Sequence, residues 1–135
     1  MKSLTTVLFL IVVMQSALSS AADKSICQSE NSMSLFGDGQ VQSCNLENYY
    51  EIGGLKCSPN NNISFYQNGQ IASCVLYERY NVKDIPCGDQ GLIEFYESGN
   101  LRSCTLGKDI TADGNKCTMT QRLRLHENGK VLSCT

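Results

Sequence analysis

Four cysteine pairs divide the chain at a fixed interval: Cys27 and Cys44, Cys57 and Cys74, Cys87 and Cys104, Cys117 and Cys134. Each pair encloses sixteen residues, and twelve separate one pair from the next. A chain that repeats itself every thirty residues has few architectures open to it. Each copy must fold alike and bury its apolar side against its neighbours. The units are residues 27–44, 57–74, 87–104 and 117–134.

Aligned on the second cysteine, the copies read SMSLFGDGQVQSCNL, NISFYQNGQIASCVL, LIEFYESGNLRSCTL and RLRLHENGKVLSCT. Apolar residues alternate over a first strand: Met33 and Leu35, Ile63 and Phe65, Ile93 and Phe95, Leu123 and Leu125. A turn follows, ending on Gly39, Gly69, Gly99 or Gly129. A second strand starts at Val41, Ile71, Leu101 or Val131 and runs through Ser to Cys. Period-two alternation around a glycine turn predicts a β-hairpin, since glycine alone takes a positive φ without a Cβ clash.

Two loop registers compete. A three-residue loop with a glycine bulge pairs Phe65 with Ile71 and sets both on the face of Ile63. A two-residue loop pairs Tyr66 with Ile71 instead. The first is preferred because it gathers the recurring apolar positions on one side. It is expected to put the aromatic slot (Phe36, Tyr66, Tyr96, His126) on the opposite face. That face should also hold the second cysteine and Leu46, Leu76 or Leu106.

The connections carry an apolar skeleton of their own: Leu46, Tyr50, Ile52; Leu76, Tyr80, Val82; Leu106, Ile110, Ala112. Turn residues follow at Gly53-Gly54, Lys83-Asp84 and Asp113-Gly114. They read as an extended continuation of the second strand and a turn back toward the next cysteine. The expected fold is all-β: four tandem hairpins in an antiparallel meander of about eight strands, stapled by disulfides.

An even cysteine count at repeated spacing reads as a disulfide framework. Zinc sites want close ligand pairs, usually with histidine, and His126 is the only histidine. Two pairing schemes are open. One closes each unit on itself, as Cys57 with Cys74. The other bridges neighbours, as Cys44–Cys57, Cys74–Cys87 and Cys104–Cys117, and strands Cys27 and Cys134. The first is preferred because the processed chain would begin just before Cys27 and stop one residue after Cys134.

Residues 1–22 read as a signal peptide, with Lys2 before the apolar run from Val7 to Met14 and small residues Ser20 and Ala22 at the cleavage site. The run is too short to span a bilayer, so no membrane span is expected after cleavage. Lys24-Ser25-Ile26 before Cys27 argues against a lipid-attachment signal. Residues 23–135 then form one repeat domain with ten basic and thirteen acidic side chains. That balance gives no reason to expect nucleic acid as a partner.

The segments FYQNGQI and FYESGNL resemble the MORN-type repeat in its variant form, whose core is Tyr-x-Asn-Gly-Lys. Tyr66-Gln67-Asn68-Gly69-Gln70 and His126-Glu127-Asn128-Gly129-Lys130 match it most nearly. They are also similar to the repeats of small secreted bacterial proteins. The resemblance implies a β-hairpin ladder that serves as a scaffold for protein or lipid contacts, and some variant-type proteins are classed as antitoxins. The cysteines are not part of that motif, and thirty residues exceed its usual period.

Candidates for chemistry are few. His126 takes the slot filled by Phe36, Tyr66 and Tyr96, and reads as an aromatic substitute. Glu94 and Glu97 are replaced by Ser64 and Gln67 or Arg124 and Glu127 elsewhere, which suits a solvated strand face better than a catalytic pair. No Gly-x-Ser-x-Gly elbow and no phosphate-binding glycine loop occurs. Tyr49, Tyr50, Tyr66, Tyr77, Tyr80 and Tyr96 could form a binding face or pack across strands. Asn62-Ile63-Ser64 matches the glycosylation triplet but falls on an ordinary strand position.

The reading is a secreted or periplasmic, non-catalytic binding or structural module without a cofactor. Its partner would be a protein or an envelope or surface component, met by outward positions such as Gln42, Ala72, Arg102 and Leu132. The alternatives are a secreted inhibitor of the antitoxin or immunity type and, from another class, a small hydrolase built on His126. Exposed sheet edges could pair end to end, against which Arg122, Arg124 and Lys130 of the last unit are counted.

Overall fold

The computed structural model describes residues 22–135, so the signal-peptide reading falls almost wholly outside the described residues. Two 3-10 turns, Lys24–Ile26 and Glu30–Ser32, precede the strands. The first repeat contributes β1 (Ser34–Leu35), β2 (Val41–Asn45), β3 (Tyr50–Ile52) and β4 (Leu55–Cys57). The second contributes β5 (Asn62–Phe65), β6 (Ile71–Val75), β7 (Tyr80–Val82) and β8 (Ile85–Cys87). The third contributes β9 (Leu92–Phe95), β10 (Leu101–Thr105), β11 (Ile110–Ala112) and β12 (Asn115–Cys117). β13 (Arg122–Leu125) and β14 (Val131–Cys134) complete the series.

The long hairpins join into one antiparallel eight-stranded sheet in the order β1-β2-β5-β6-β9-β10-β13-β14. The connections are not plain extensions of it. They fold into three small hairpins, β3–β4, β7–β8 and β11–β12, each turning on two residues. Gly53 and Gly54 take positive φ there, as a tight two-residue turn demands, while Lys83 at +54° and Asp113 at +49° adopt the same left-handed backbone with a side chain.

Each long hairpin closes through three residues. The amide of Tyr66 donates to Gln70 O and that of Gly69 to Tyr66 O, with Gly69 at φ +85°. The Asn68 side chain adds a local bond, its Oδ1 accepting from the Gln70 amide, and Asp38 and Asn128 do the same for Gln40 and Lys130. Phe65 then lies opposite Ile71 and Ser64 opposite Ser73. Ala72 is therefore an extra, unpaired residue: a bulge. Gln42, Arg102 and Leu132 occupy the same place in the other repeats.

The bulge corrects the expected placement of the second cysteine. Strict alternation from Ile71 would send Cys74 to the outer face with Tyr66. One inserted residue reverses the side-chain parity. Cys74 consequently lies opposite Ile93, on the apolar face, and Leu46, Leu76 and Leu106 follow it into the core. Cystine sulfur and aliphatic side chains alternate along this buried row, through Cys74, Ile93, Cys104, Leu123 and Cys134.

The structure has the within-unit disulfides Cys27–Cys44, Cys57–Cys74, Cys87–Cys104 and Cys117–Cys134, with Cα separations of 5.6 to 5.8 Å. Three of them tie the end of a small hairpin to the next long one, as β4 to β6 through Cys57–Cys74. The small hairpins add Leu55, Tyr50, Tyr80, Val82, Ile85 and Ile110 to the same core cluster. The Tyr50 ring meets Phe65 edge-on at 5.9 Å. Each fully buried Ile or Leu contributes roughly 2 kcal/mol by burial, and each cross-link about 3 kcal/mol by restricting the unfolded chain. The core is one layer deep, so the staples supply what its thickness does not.

Candidate functional site

With the apolar side covered, the other face of the long sheet is left open to solvent. One row of side chains crosses every strand of it in register: Ser34, Ser43, Ser64, Ser73, Glu94, Ser103, Arg124 and Ser133. Strand spacing of about 4.8 Å makes that row roughly 34 Å long. The bulge residues flank it, with Gln42, Arg102 and Leu132 exposed. Of the four outward positions singled out in the sequence, the fourth, Ala72, is half-buried. A bulge re-aims its side chain and escapes pairing constraints, so this is where one repeat can differ from the next without disturbing the sheet.

The aromatic slot lies on the same face and divides by residue type. Tyr66 donates its hydroxyl to Phe95 O at 2.8 Å, and Tyr96 donates to Leu125 O at 2.8 Å. Each tyrosine thereby ties its repeat to the next. Asn68 and Asn100 add side-chain bonds to Glu97 O and Glu127 O at 3.2 and 3.1 Å. Phe36 has no hydroxyl to give, and His126 is exposed at the far end of the row. Tyr50 and Tyr80 are half-buried against the core. Tyr49 and Tyr77 are exposed and sit 6.2 Å apart, with the Lys56 ammonium 4.2 and 5.2 Å from their ring centres. The six tyrosines thus serve three purposes, and only Tyr49 and Tyr77 present open rings.

Charge gathers on one part of the row. Arg122 reaches across β10 to Glu94, with Nη2 2.7 Å from Oε2, and its Nη1 donates to Leu92 O at 3.1 Å. Ser103, buried beneath them, accepts from Arg122 Nη2 at 2.6 Å and donates to the Glu94 carboxylate. Partial burial pushes the Glu94 carboxyl up, but hydrogen bonds from Ser103 and Arg122 and the charges of Arg122 and Arg102 outweigh it. The net effect holds Glu94 below its ordinary range. Arg102 also lies over the Tyr96 ring at 5.7 Å. Tyr96, Arg102, Arg124 and Leu132 rim a hollow of about 290 Å³ over Glu94 and Ser103.

Glu94 and Glu97 do not form a carboxylate pair. Glu94 is held by Arg122, and Glu97 is an exposed turn residue. Asn62 is exposed on β5 opposite Asn45. No cluster of three or more His, Cys, Asp or Glu side chains fit to hold a metal ion occurs among the described residues. The Glu94–Ser103–Arg122 group escaped the sequence reading, because its members belong to three strands whose adjacency depends on the register of β10. No protein-family model, curated protein or solved structure matches the chain. Among the described residues, no helix is long and apolar enough to cross a membrane.

Proposed function

We propose that the protein is a secreted or periplasmic, non-catalytic binding module that meets its partner with the outward face of the sheet. One observation carries this reading: an eight-stranded sheet with one face sealed by cystines and the other uncovered, bearing a polar row flanked by variable bulge residues. Four disulfides are the mark of an oxidising compartment, which supports export. A rigid sheet loses little conformational freedom on binding, so its contacts are not spent on ordering the surface. The resemblance to MORN-type ladders, which act as scaffolds, points the same way.

Capture from an envelope extract on the immobilised, oxidised protein tests the reading. Gln42→Arg combined with Leu132→Asp alters two exposed bulge positions and leaves the core untouched. The captured component should bind this variant at least tenfold more weakly. A single stoichiometric protein would identify an inhibitor of the immunity type, and a polysaccharide or many proteins a scaffold. Undiminished capture by the variant contradicts the reading. So does any turnover that His126→Phe abolishes.

A further inference from the structure

The two outer edges of the long sheet meet no further strand among the described residues: β1 on one side and β14 on the other, where only the Val131 amide is engaged, donating to Asp113 Oδ2 at 2.7 Å. They are related by the operation that relates the repeats. At the internal junctions Cys44, Cys74 and Cys104 lie opposite Ile63, Ile93 and Leu123. The serines beside those cysteines lie opposite Ser64, Glu94 and Arg124. One more step of thirty residues would set Cys134 opposite Met33 of a second copy and Ser133 opposite its Ser34. Met33 already has extended backbone, at φ −98° and ψ 129°.

Apolar burial is incomplete at both edges, and at matching positions. Leu35 is 41% exposed, whereas its counterparts Phe65 and Leu125 are 5% and 3% exposed and Phe95 is half-buried. Val131 is half-buried, whereas Val41, Ile71 and Leu101 are buried. Charge distinguishes the ends as well. Residues 23–52 hold five acids and one base, and residues 113–135 hold four bases and two acids. Arg124 stands one repeat beyond Glu94, and Glu30 stands two residues before the place that corresponds to Arg122. Ser32 holds that place itself, so the nearest carboxylate to a junction-facing Arg124 is Glu30, on the 3-10 turn beside the edge. The sequence alone sets Arg122, Arg124 and Lys130 against edge pairing, as like charges would be; opposite the acidic first unit of another copy the same bases favour it.

We infer that copies of this chain associate head to tail, the β14 edge of one receiving the β1 edge of the next, in continuation of the repeat register. Such a contact joins two different surfaces and leaves a free edge at each end, so it extends into open oligomers unless it curls shut. β14 carries no proline and no charge, the residues by which edges are ordinarily blunted. The short β1 and the neighbouring 3-10 turn at Glu30–Ser32 limit the junction to a few residue pairs, which sets a weak, concentration-dependent contact.

Sedimentation velocity of the purified, oxidised protein over a wide concentration range, at low and high salt, tests this. Species larger than a dimer should appear as concentration rises and recede with salt. Leu35→Lys changes an exposed side chain, so the fold survives. It should act as a chain terminator, weakening self-association at least tenfold with an unchanged melting temperature. Arg124→Glu should weaken association, and Glu30→Arg added to it should restore it. A monomer at every concentration overturns the inference. So does an oligomer indifferent to Leu35→Lys, or a charge swap that fails to restore assembly.

Discussion

The first and second halves of the outward face are built on the same backbone and differ in kind. Over the first two repeats the row reads Ser34, Ser43, Ser64, Ser73, flanked by Gln42 and Ala72, and carries no charge. Ser64 and Ser73 satisfy each other, their hydroxyls 2.6 Å apart. Over the last two repeats the row reads Glu94, Ser103, Arg124, Ser133, flanked by Arg102 and Leu132, and Arg122 reaches into it. Beneath both halves the buried row is nearly constant. Repetition on the core face fixes the fold, and freedom on the outward face lets one scaffold present a neutral, hydroxyl-lined surface beside a charged one.

The core beneath the two halves should respond equally. Ile63→Ala and Ile93→Ala each empty a fully buried position, and each should cost about 3 kcal/mol in denaturant titration of the oxidised protein. A large inequality between them would break the claim that the repeats share one continuous core.

A smaller effect separates the halves. Glu94→Gln should destabilise the protein by about 1 kcal/mol near neutrality, a figure that allows for the partial exposure of the ion pair. The Glu94 carboxyl is held below its ordinary range in the folded chain. Its contribution is therefore complete above the ordinary glutamate range and is lost as pH falls through the lowered folded value. Wild type and Glu94→Gln should accordingly converge in stability on acidification, whereas Ser64→Ala in the neutral half should show a pH-independent difference. Thermal melts across the acid range would show this.

The smallest effect concerns a turn. Asn60, Gln90 and Thr120 occupy one place in successive repeats, with φ of 60°, 60° and 73°. A β-branched residue is poorly suited to that backbone, and asparagine tolerates it best of the three. Thr120→Asn should raise stability by about 0.5–1 kcal/mol, while Asn60→Thr should lower it by a similar amount. Melting temperatures of the two variants would check the sign.

Much of the fold was legible because turn chemistry and period-two alternation agreed in every copy. The glycine-bulge register of Phe65 and Ile71 followed from that agreement. The placement of Cys74 did not follow, because parity was counted through Ala72 as though no residue were unpaired. The signal was present: Ile71 and Cys74 are three apart, a spacing that puts two apolar residues on one face only across a bulge. The small hairpins were marked by their turn residues at Gly53-Gly54, Lys83-Asp84 and Asp113-Gly114, but the stretch before each turn reads equally well as a continuation of the second strand, since both are extended. Of the candidate site, the outward bulge positions could be read from their variation between copies. The Glu94–Ser103–Arg122 group could not, since residues 28 apart are joined there by the arrangement of three strands.

The architecture rests on each repeat being closed by its own cystine, on the buried face of the sheet. Peptide mapping of the unreduced protein, with alkylation of any thiols, tests this directly. Four bridges should be found, each linking the two cysteines of a single unit, with no alkylated cysteine. A Cys44–Cys57 or Cys74–Cys87 fragment, or a free thiol in the oxidised protein, would contradict that pairing.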